Sequence, residues 1–374
     1  MHLGRQAKVG GTLVATLLAA CGATGPGASL QSPGTATLTP VSTASSRPAP
    51  NPSPSPSLSG LRLVIEDLLD SEVRLARLDA TDTATIKGQY DGIVDGQVIV
   101  LNGSTLQALN RSGSVKKLGQ LAASPDWYGA GTVIVKPDLS QWLYVITDTN
   151  RTTRIHLGTS IGDRIVATLP SPDGEIAYVP FAWNDSGIYM TKQPTGLGGA
   201  GPFLEYHFAL ARFDLANAQV TDVSPTCIAY QVLDDGTMIC RPSNDYGLIE
   251  VRSPSGKDNV IRLSSDRNGY IAVAVSPDNK RLIAGRNGSK GVINYQMVVA
   301  DSTSSSGKAF GPLDYLPDTW LLDGRVVANH VCAGGGFGGG PCNAGLDGAY
   351  FFSPDGTSHT PFFKLTRGTV VGYV

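Results

Sequence analysis

Tyr270-Ile271-Ala272-Val273-Ala274-Val275 runs into Ser276-Pro277-Asp278-Asn279 and out again through Lys280-Arg281-Leu282-Ile283-Ala284. An apolar run of strand length, a short turn and a second apolar run spell a β-hairpin. The arrangement recurs. Turns at Val94-Asp95-Gly96, Pro137-Asp138-Leu139, Asn184-Asp185-Ser186-Gly187, Asp234-Asp235-Gly236 and Asp323-Gly324 each join one apolar run to the next. Asp and Asn tolerate the backbone angles of such turns, and Gly supplies positive φ. The Asp residues at 95, 138, 185, 235, 278 and 323 follow one another at intervals of 43 to 50 residues. A blade of four antiparallel strands takes about 40–50 residues.

The two ends test that period. One step beyond Asp323 lies the strand text Thr369-Val370-Val371-Gly372-Tyr373-Val374, with nothing after it. One step before Asp95 falls short of Leu61-Arg62-Leu63-Val64-Ile65. The N-terminal unit therefore lacks its first strand and the C-terminus has one to spare. Sharing one blade between them closes the ring and removes the exposed sheet edges at the join. The expectation is an all-β fold, a β-propeller of seven four-stranded blades rather than six or eight, closed by 369–374 on the N-terminal blade. Helical periodicity is nearly absent. The one helix-like stretch, Leu61 to Leu78, breaks at Asp70-Ser71 into two strand-length pieces, which periodicity alone leaves ambiguous.

The turn text Ser171-Pro172-Asp173-Gly174-Glu175-Ile176-Ala177-Tyr178, the stretch 276–284 and Ser353-Pro354-Asp355-Gly356 resemble the TolB-type and related, WD-repeat-like propeller repeats of bacterial envelope proteins. The resemblance implies the propeller fold and a protein-binding role. A fold shared by many functions does not itself set one.

The N-terminus reads as an export signal. His2, Arg5 and Lys8 precede the apolar stretch Val9 to Ala20, which is too short to span a bilayer. It ends in Leu18-Ala19-Ala20-Cys21-Gly22, which resembles the lipobox of bacterial lipoproteins. That resemblance implies cleavage before Cys21 and acylation there, and two or three acyl chains anchor firmly where one is marginal. Residues 1–20 are thus expected to be a signal peptide. Residues 22–60 hold 8 Pro, 14 Ser/Thr, 5 Gly and the single charge Arg47. Such a segment buries too little apolar surface to offset its ordering entropy. Residues 21–60 are expected to be a disordered tether of about 35 Å root-mean-square span, leaving 61–374 as one domain. The expected location is the outer face of the cell membrane or the outer membrane.

Composition narrows the chemistry. A net charge of −2, with 29 basic and 31 acidic residues, excludes general nucleic-acid binding, which needs a basic face. With Cys21 taking lipid, four cysteines remain in an exported domain. Cys332 with Cys342, bracketing a Gly-rich segment, and Cys227 with Cys240 are the expected disulfides. In the second pair a two-residue turn at Asp234-Asp235 sets Cys240 opposite residue 229, two off register unless a bulge intervenes. No metal or cofactor site emerges. No Cys-x-x-Cys occurs, and His156, His207, His330 and His359 form no ligand pair. Gly158-Thr159-Ser160-Ile161-Gly162 has nucleophile-elbow spacing but bridges two short strands instead of opening a helix. The carboxylates Asp91, Asp95, Asp234, Asp235 and Asp314 are candidates for a channel site, although turn chemistry explains most of them. No catalytic residue is assigned.

Two connections between second and third strands are long and Gly-rich, 193–206 and 332–346, in the fourth and seventh blades. With the loop after the second blade they share one face. Trp127, Tyr128, Phe203, Tyr206 and Phe337 are the candidate partner-binding residues there, because aromatic anchors supply most contact energy. The sequence-level reading is a monomeric, lipid-anchored binding protein for an envelope protein or glycan. The alternative is a propeller hydrolase or lyase acting on envelope carbohydrate or peptide.

Overall fold

In a computed structural model of the chain, the described residues are 58, 60–67, 70–123, 133–147, 152–170, 176–194, 209–242, 245, 247–263, 270–287, 295–330, 346, 348–363 and 368–374. They form strands and turns, with no α-helix among them. Blade 1 is β1 (Leu63–Asp67), β2 (Glu72–Ala76) and β3 (Asp82–Lys87), headed by β27 (Thr369–Tyr373). Blade 2 is β4 (Gln89–Val94), β5 (Gln97–Asn102), β6 (Thr105–Asn110) and β7 (Val115–Gln120). Blade 3 is β8 (Val133–Val135), β9 (Gln141–Thr147), β10 (Thr153–Thr159) and β11 (Gly162–Leu169). Blade 4 is β12 (Ile176–Asn184), β13 (Gly187–Pro194), β14 (Ala209–Asp214) and the first half of β15 (Gln219–Val232). The second half of β15 opens blade 5, with β16 (Met238–Pro242), β17 (Leu248–Arg252) and β18 (Asn259–Arg262). Blade 6 is β19 (Tyr270–Val275), β20 (Arg281–Asn287), β21 (Tyr295–Asp301) and β22 (Lys308–Leu313). Blade 7 is β23 (Tyr315–Trp320), β24 (Val326–His330), β25 (Gly348–Phe352) and β26 (His359–Phe363). The fold is the expected seven-bladed β-propeller.

Closure follows the expected route. β27 pairs antiparallel with β1, Leu63 opposite Tyr373 and Glu66 opposite Thr369. Arg62 N–H donates to Val374 O and Val374 N–H to Arg62 O, both at 2.9 Å. The stretch 61–78 is two strands, with Ser71 at φ 48° in the break between them. β-Branched and aliphatic residues at alternate positions, as in Leu63, Ile65 and Val64, decide for strand once both faces have a neighbouring blade to pack on.

The core is seven clusters, one per blade interface. Val64, Val73 and Leu75 meet Val98 and Val100 between blades 1 and 2. Ile99 and Leu106 meet Val133 and Trp142 between blades 2 and 3. The series continues around the ring. It ends where Val327, Ala349 and Phe351 of blade 7 pack on Leu63, Ile65 and Val370 of blade 1. Each blade thus buries both faces, and burying one large aliphatic or aromatic side chain contributes about 1.5–3 kcal/mol. Trp142 shows how close the packing is. Its indole lies where a Cβ on Gly158 or Gly119 would sit, at 1.9 and 2.1 Å. Only glycine fits at those two positions.

Candidate functional site

The two rims of the propeller are built differently. One carries the first-to-second and third-to-fourth hairpins, and these are tight. Asp95 and Gly96, at φ 48° and 64°, close β4 to β5. Asp138 accepts from Ser140 N–H at 2.9 Å, Asp235 from Thr237 N–H at 2.8 Å and Asp323 from Arg325 N–H at 3.1 Å. The Lys136 ammonium and the Ser140 groups hold the Asp138 carboxyl down to about 2. The acid repeat is therefore turn chemistry: carboxylates capping backbone N–H groups. Asp234 is exposed in the same turn as Asp235. Gly158 to Gly162 is likewise a hairpin end, Thr159 paired with Gly162, so Ser160 sits in a turn with no helix behind it.

The other rim carries the second-to-third connections and the crossings between blades. Some crossings are a single residue, such as Asp314 between β22 and β23. Three connections on this rim are long: the crossing from Gln120 to Val133, and the second-to-third connections Pro194 to Ala209 and His330 to Gly348. These three are the connections that hold Trp127 and Tyr128, Phe203 and Tyr206, and Phe337. Those five residues lie outside the described residues, as do Cys21, Cys332 and Cys342.

Buried tyrosines hold the roots of two of these connections. Tyr144 on β9 is fully buried, and its hydroxyl accepts Ala122 N–H at 3.0 Å, just after β7 ends. The same hydroxyl donates to Asp163 Oδ2 at 2.7 Å. His156 Nδ1 stands 2.9 Å from Asp163 Oδ1 and 3.3 Å from the Tyr144 hydroxyl, its ring stacked on Tyr144 at 4.8 Å. Burial, reinforced by the bond to Asp163, pushes the Tyr144 hydroxyl above its usual value, so it remains a donor. In blade 7 the Tyr350 hydroxyl donates to Leu346 O at 2.7 Å, at the far end of the 331–347 connection. Tyr315 backs Tyr350 edge-on at 5.2 Å, and burial first, then Tyr350, pushes its own hydroxyl up to about 12.

Around the axis the first strands of neighbouring blades pack on one another: β4 on β8, β8 on β12, β19 on β23 and β23 on β27. Six of the seven leave one residue over between ladder pairs: Asp91, Phe181, Tyr230, Ile271, Asp318 and Val371. Such bulges bend and twist a strand, which suits the crowded centre of the ring. Asp91, a channel candidate from sequence, accepts Val133 N–H of the next blade with both oxygens, at 3.2 and 3.0 Å. Glu66 accepts Tyr90 N–H, and burial raises its carboxyl. Asn329 Nδ2 donates to Asp318 at 2.5 Å, and burial pushes that carboxyl well above the ordinary range. The five carboxylates named from sequence are not brought together: Asp95, Asp234 and Asp235 belong to the tight rim, Asp91 to a bulge and Asp314 to a crossing.

Cys227 and Cys240 form a disulfide, Cα atoms 5.4 Å apart and both residues buried. The turn leaves three residues between Leu233 and Thr237 rather than two, and the bulge at Tyr230 shifts the register by one, so Cys240 opposes Ala229. The bulge does not bring the cysteines opposite each other; the bond runs diagonally. Three groups escaped the sequence reading. The Tyr144–His156–Asp163 network was within reach: His156 and Asp163 flank a two-residue turn, so hairpin register makes them diagonal neighbours. The Asp318–Asn329 pair needed knowledge of the bulge. The third is Asp67, Asp70 and Glu72, whose ligand oxygens lie within 4.8 Å of one another. Lys87 Nζ stands 2.9 Å from Glu72, and Asp70 N–H donates to Asp67 at 3.1 Å, so this cluster is tied by its own turn.

No protein-family model matches the chain, and no curated protein matches it in sequence. Solved structures similar to it are propellers. TolB from Acinetobacter baumannii has a TM-score of 0.40 at 11% identity, over 67% of this chain and 64% of that one. Oligogalacturonate lyase from Vibrio parahaemolyticus has 0.47 at 10%, over 72% and 87%. The Cps50 (Swd1) β-propeller domain from Myceliophteria thermophila has 0.46 at 11%, over 72% and 93%. At these values the functional reading rests on the residues of this chain.

Proposed function

We propose that this is an exported lipoprotein, acylated at Cys21, whose propeller binds an envelope protein or glycan through the rim of long connections. The observation that carries the reading is the fixing of loop roots. Tyr144 and Tyr350, buried under that rim, direct their hydroxyls at Ala122 and Leu346, where two of the aromatic-bearing connections join the blades. Fixing the roots of a binding loop lowers the ordering cost of association. Asp91 and Asp318, left over in the bulges of first strands, accept from Val133 N–H and Asn329 Nδ2, and Glu66 on β1 accepts from Tyr90 N–H. This favours the rim over the channel as the place of contact.

The test uses a photo-cross-linking amino acid, placed in the full chain at Trp127, Phe203 or Phe337 and, as controls, at Asp138 or Asp278 on the tight rim. The expected result is one discrete cross-linked adduct from the first set and none from the controls. Equal adducts from both rims, or adducts from the controls alone, would overturn the reading.

A further inference from the structure

We infer that the propeller stands with its tight-turn rim nearest the bilayer and displays the rim of long connections away from it. This rests on the anchoring through Cys21 proposed above. The chain enters the folded part at Leu58 to Leu61. Leu58 packs with Leu78, Ala80 and Tyr373 on the blade 7 to blade 1 cluster. Leu61 N–H donates to Leu58 O at 3.1 Å. Gly60 turns the chain at φ 92°, beside the Arg111 guanidinium. Leu78 and Ala80 belong to the β2–β3 hairpin and Arg111 to the β6–β7 hairpin, so these contacts of the entry point lie on the tight rim. From there β1 runs directly toward the opposite rim.

A body held by one face is held with that face toward its anchor. Strands of five to seven residues separate the two rims by about 20 Å, against a tether span of about 35 Å. The entry rim must remain within tether reach of the bilayer, and the far rim need not. The bilayer attracts this rim little. An Asp stands in each of the first-to-second hairpins, and those at 138 and 323 already hold their nearest cations, Lys136 and Arg325. Exposed Arg77, Arg111, Lys257 and Lys280 share this rim with the aspartates, so its charges are mixed and anionic headgroups, felt over about 8 Å at physiological salt, meet no uniformly basic face. The tether, rather than a docked face, then sets the distance, and the long connections are left facing partners beyond the membrane.

The experiment uses the full acylated chain on phosphatidylcholine vesicles containing a nickel-chelating lipid. A nitroxide amino acid is introduced at Asp138 or Lys257 on the tight rim, or at Ala123 or Leu346 on the far rim. The expected result is a larger nickel-induced loss of nitroxide signal at both tight-rim positions than at both far-rim positions. Equal loss at all four, or larger loss at Ala123 and Leu346, would overturn the orientation. Flotation keeps the two readings apart. The unmodified chain should float with the vesicles and Cys21→Ser should not. Failure of the unmodified chain to float removes the anchoring, and the orientation with it.

Discussion

The two rims of this propeller are made from the same chain under opposite demands. On the tight rim every first-to-second hairpin contains an Asp, and the capped ones use it on their own backbone: Asp138 on Ser140, Asp235 on Thr237, Asp323 on Arg325. On the far rim polar groups reach between elements. Tyr144 on β9 reaches Ala122 beyond β7. Tyr350 reaches back to Leu346. The difference teaches that a tight turn can cap itself from its own sequence, whereas the root of the 120–133 connection is held by a residue of the next blade. The tight rim adds cross-element bonds of its own, Asn184 Nδ2 to Leu233 O at 2.9 Å and Asn259 Nδ2 to Ser302 O at 2.8 Å.

The sharpest way to break that contrast is to strike the packing both rims share. Trp142→Ala empties the space between Gly119 and Gly158, and the expected loss is about 3–5 kcal/mol, read from the guanidinium midpoint. A loss below about 1 kcal/mol would show that blades 2 and 3 are not coupled through Trp142. Replacing Cys227 and Cys240 together by Ser should destabilise by about 2–4 kcal/mol, again in denaturant, while leaving cross-linking at Trp127 and Phe337 intact at low temperature.

The tyrosines separate the two connections from each other. Tyr144→Phe should cost about 1–2 kcal/mol by taking the hydroxyl from Ala122 N–H and leaving Asp163 with His156 alone. It should also diminish cross-linking at Trp127 and spare Phe337. Tyr350→Phe should do the reverse. If both variants affect both positions equally, the roots are not held independently. Asp318 adds a pH signature. Burial raises its carboxyl well above the ordinary carboxylate range and raises that of Glu66 as well, so folding favours the protonated form of each relative to the unfolded chain. Stability associated with Asp318 is therefore fully present below the ordinary carboxylate range and declines as pH rises toward the raised value. Asp318→Asn should flatten that decline in a series of melting temperatures; an unchanged slope would assign it to Glu66. The tight-rim aspartates Asp138 and Asp278 shift the other way, and their contribution fades on acidification. The smallest effect belongs to Gly96→Ala. A Cβ there meets nothing within 4 Å but φ is 64°, so about 1 kcal/mol is expected and no change in cross-linking on the far rim.

The fold was legible because its information is local and repeated. Six Asp-bearing turns at a blade's spacing, with one strand missing at the start and one spare at the end, determined seven blades and their closure. The cysteine pair at 227 and 240 was legible as a pair, but its diagonal geometry was not, since it depends on how β15 and β16 align across the bulge at Tyr230. The root-fixing of the candidate site was hidden for a similar reason. Ala122 and Tyr144 belong to different blades, and no spacing rule connects them until the two sheets pack. The sequence by itself determined the turns, the strands and the order of the blades, because each depends on residues within a few positions of one another. Tertiary structure alone decided which carboxylates cap a neighbouring blade, which tyrosines hold the long connections, and that the chain enters on the tight rim. Those contacts form only when apolar faces far apart in the chain are pressed together, and burial then favours a partner for most of the polar groups between them.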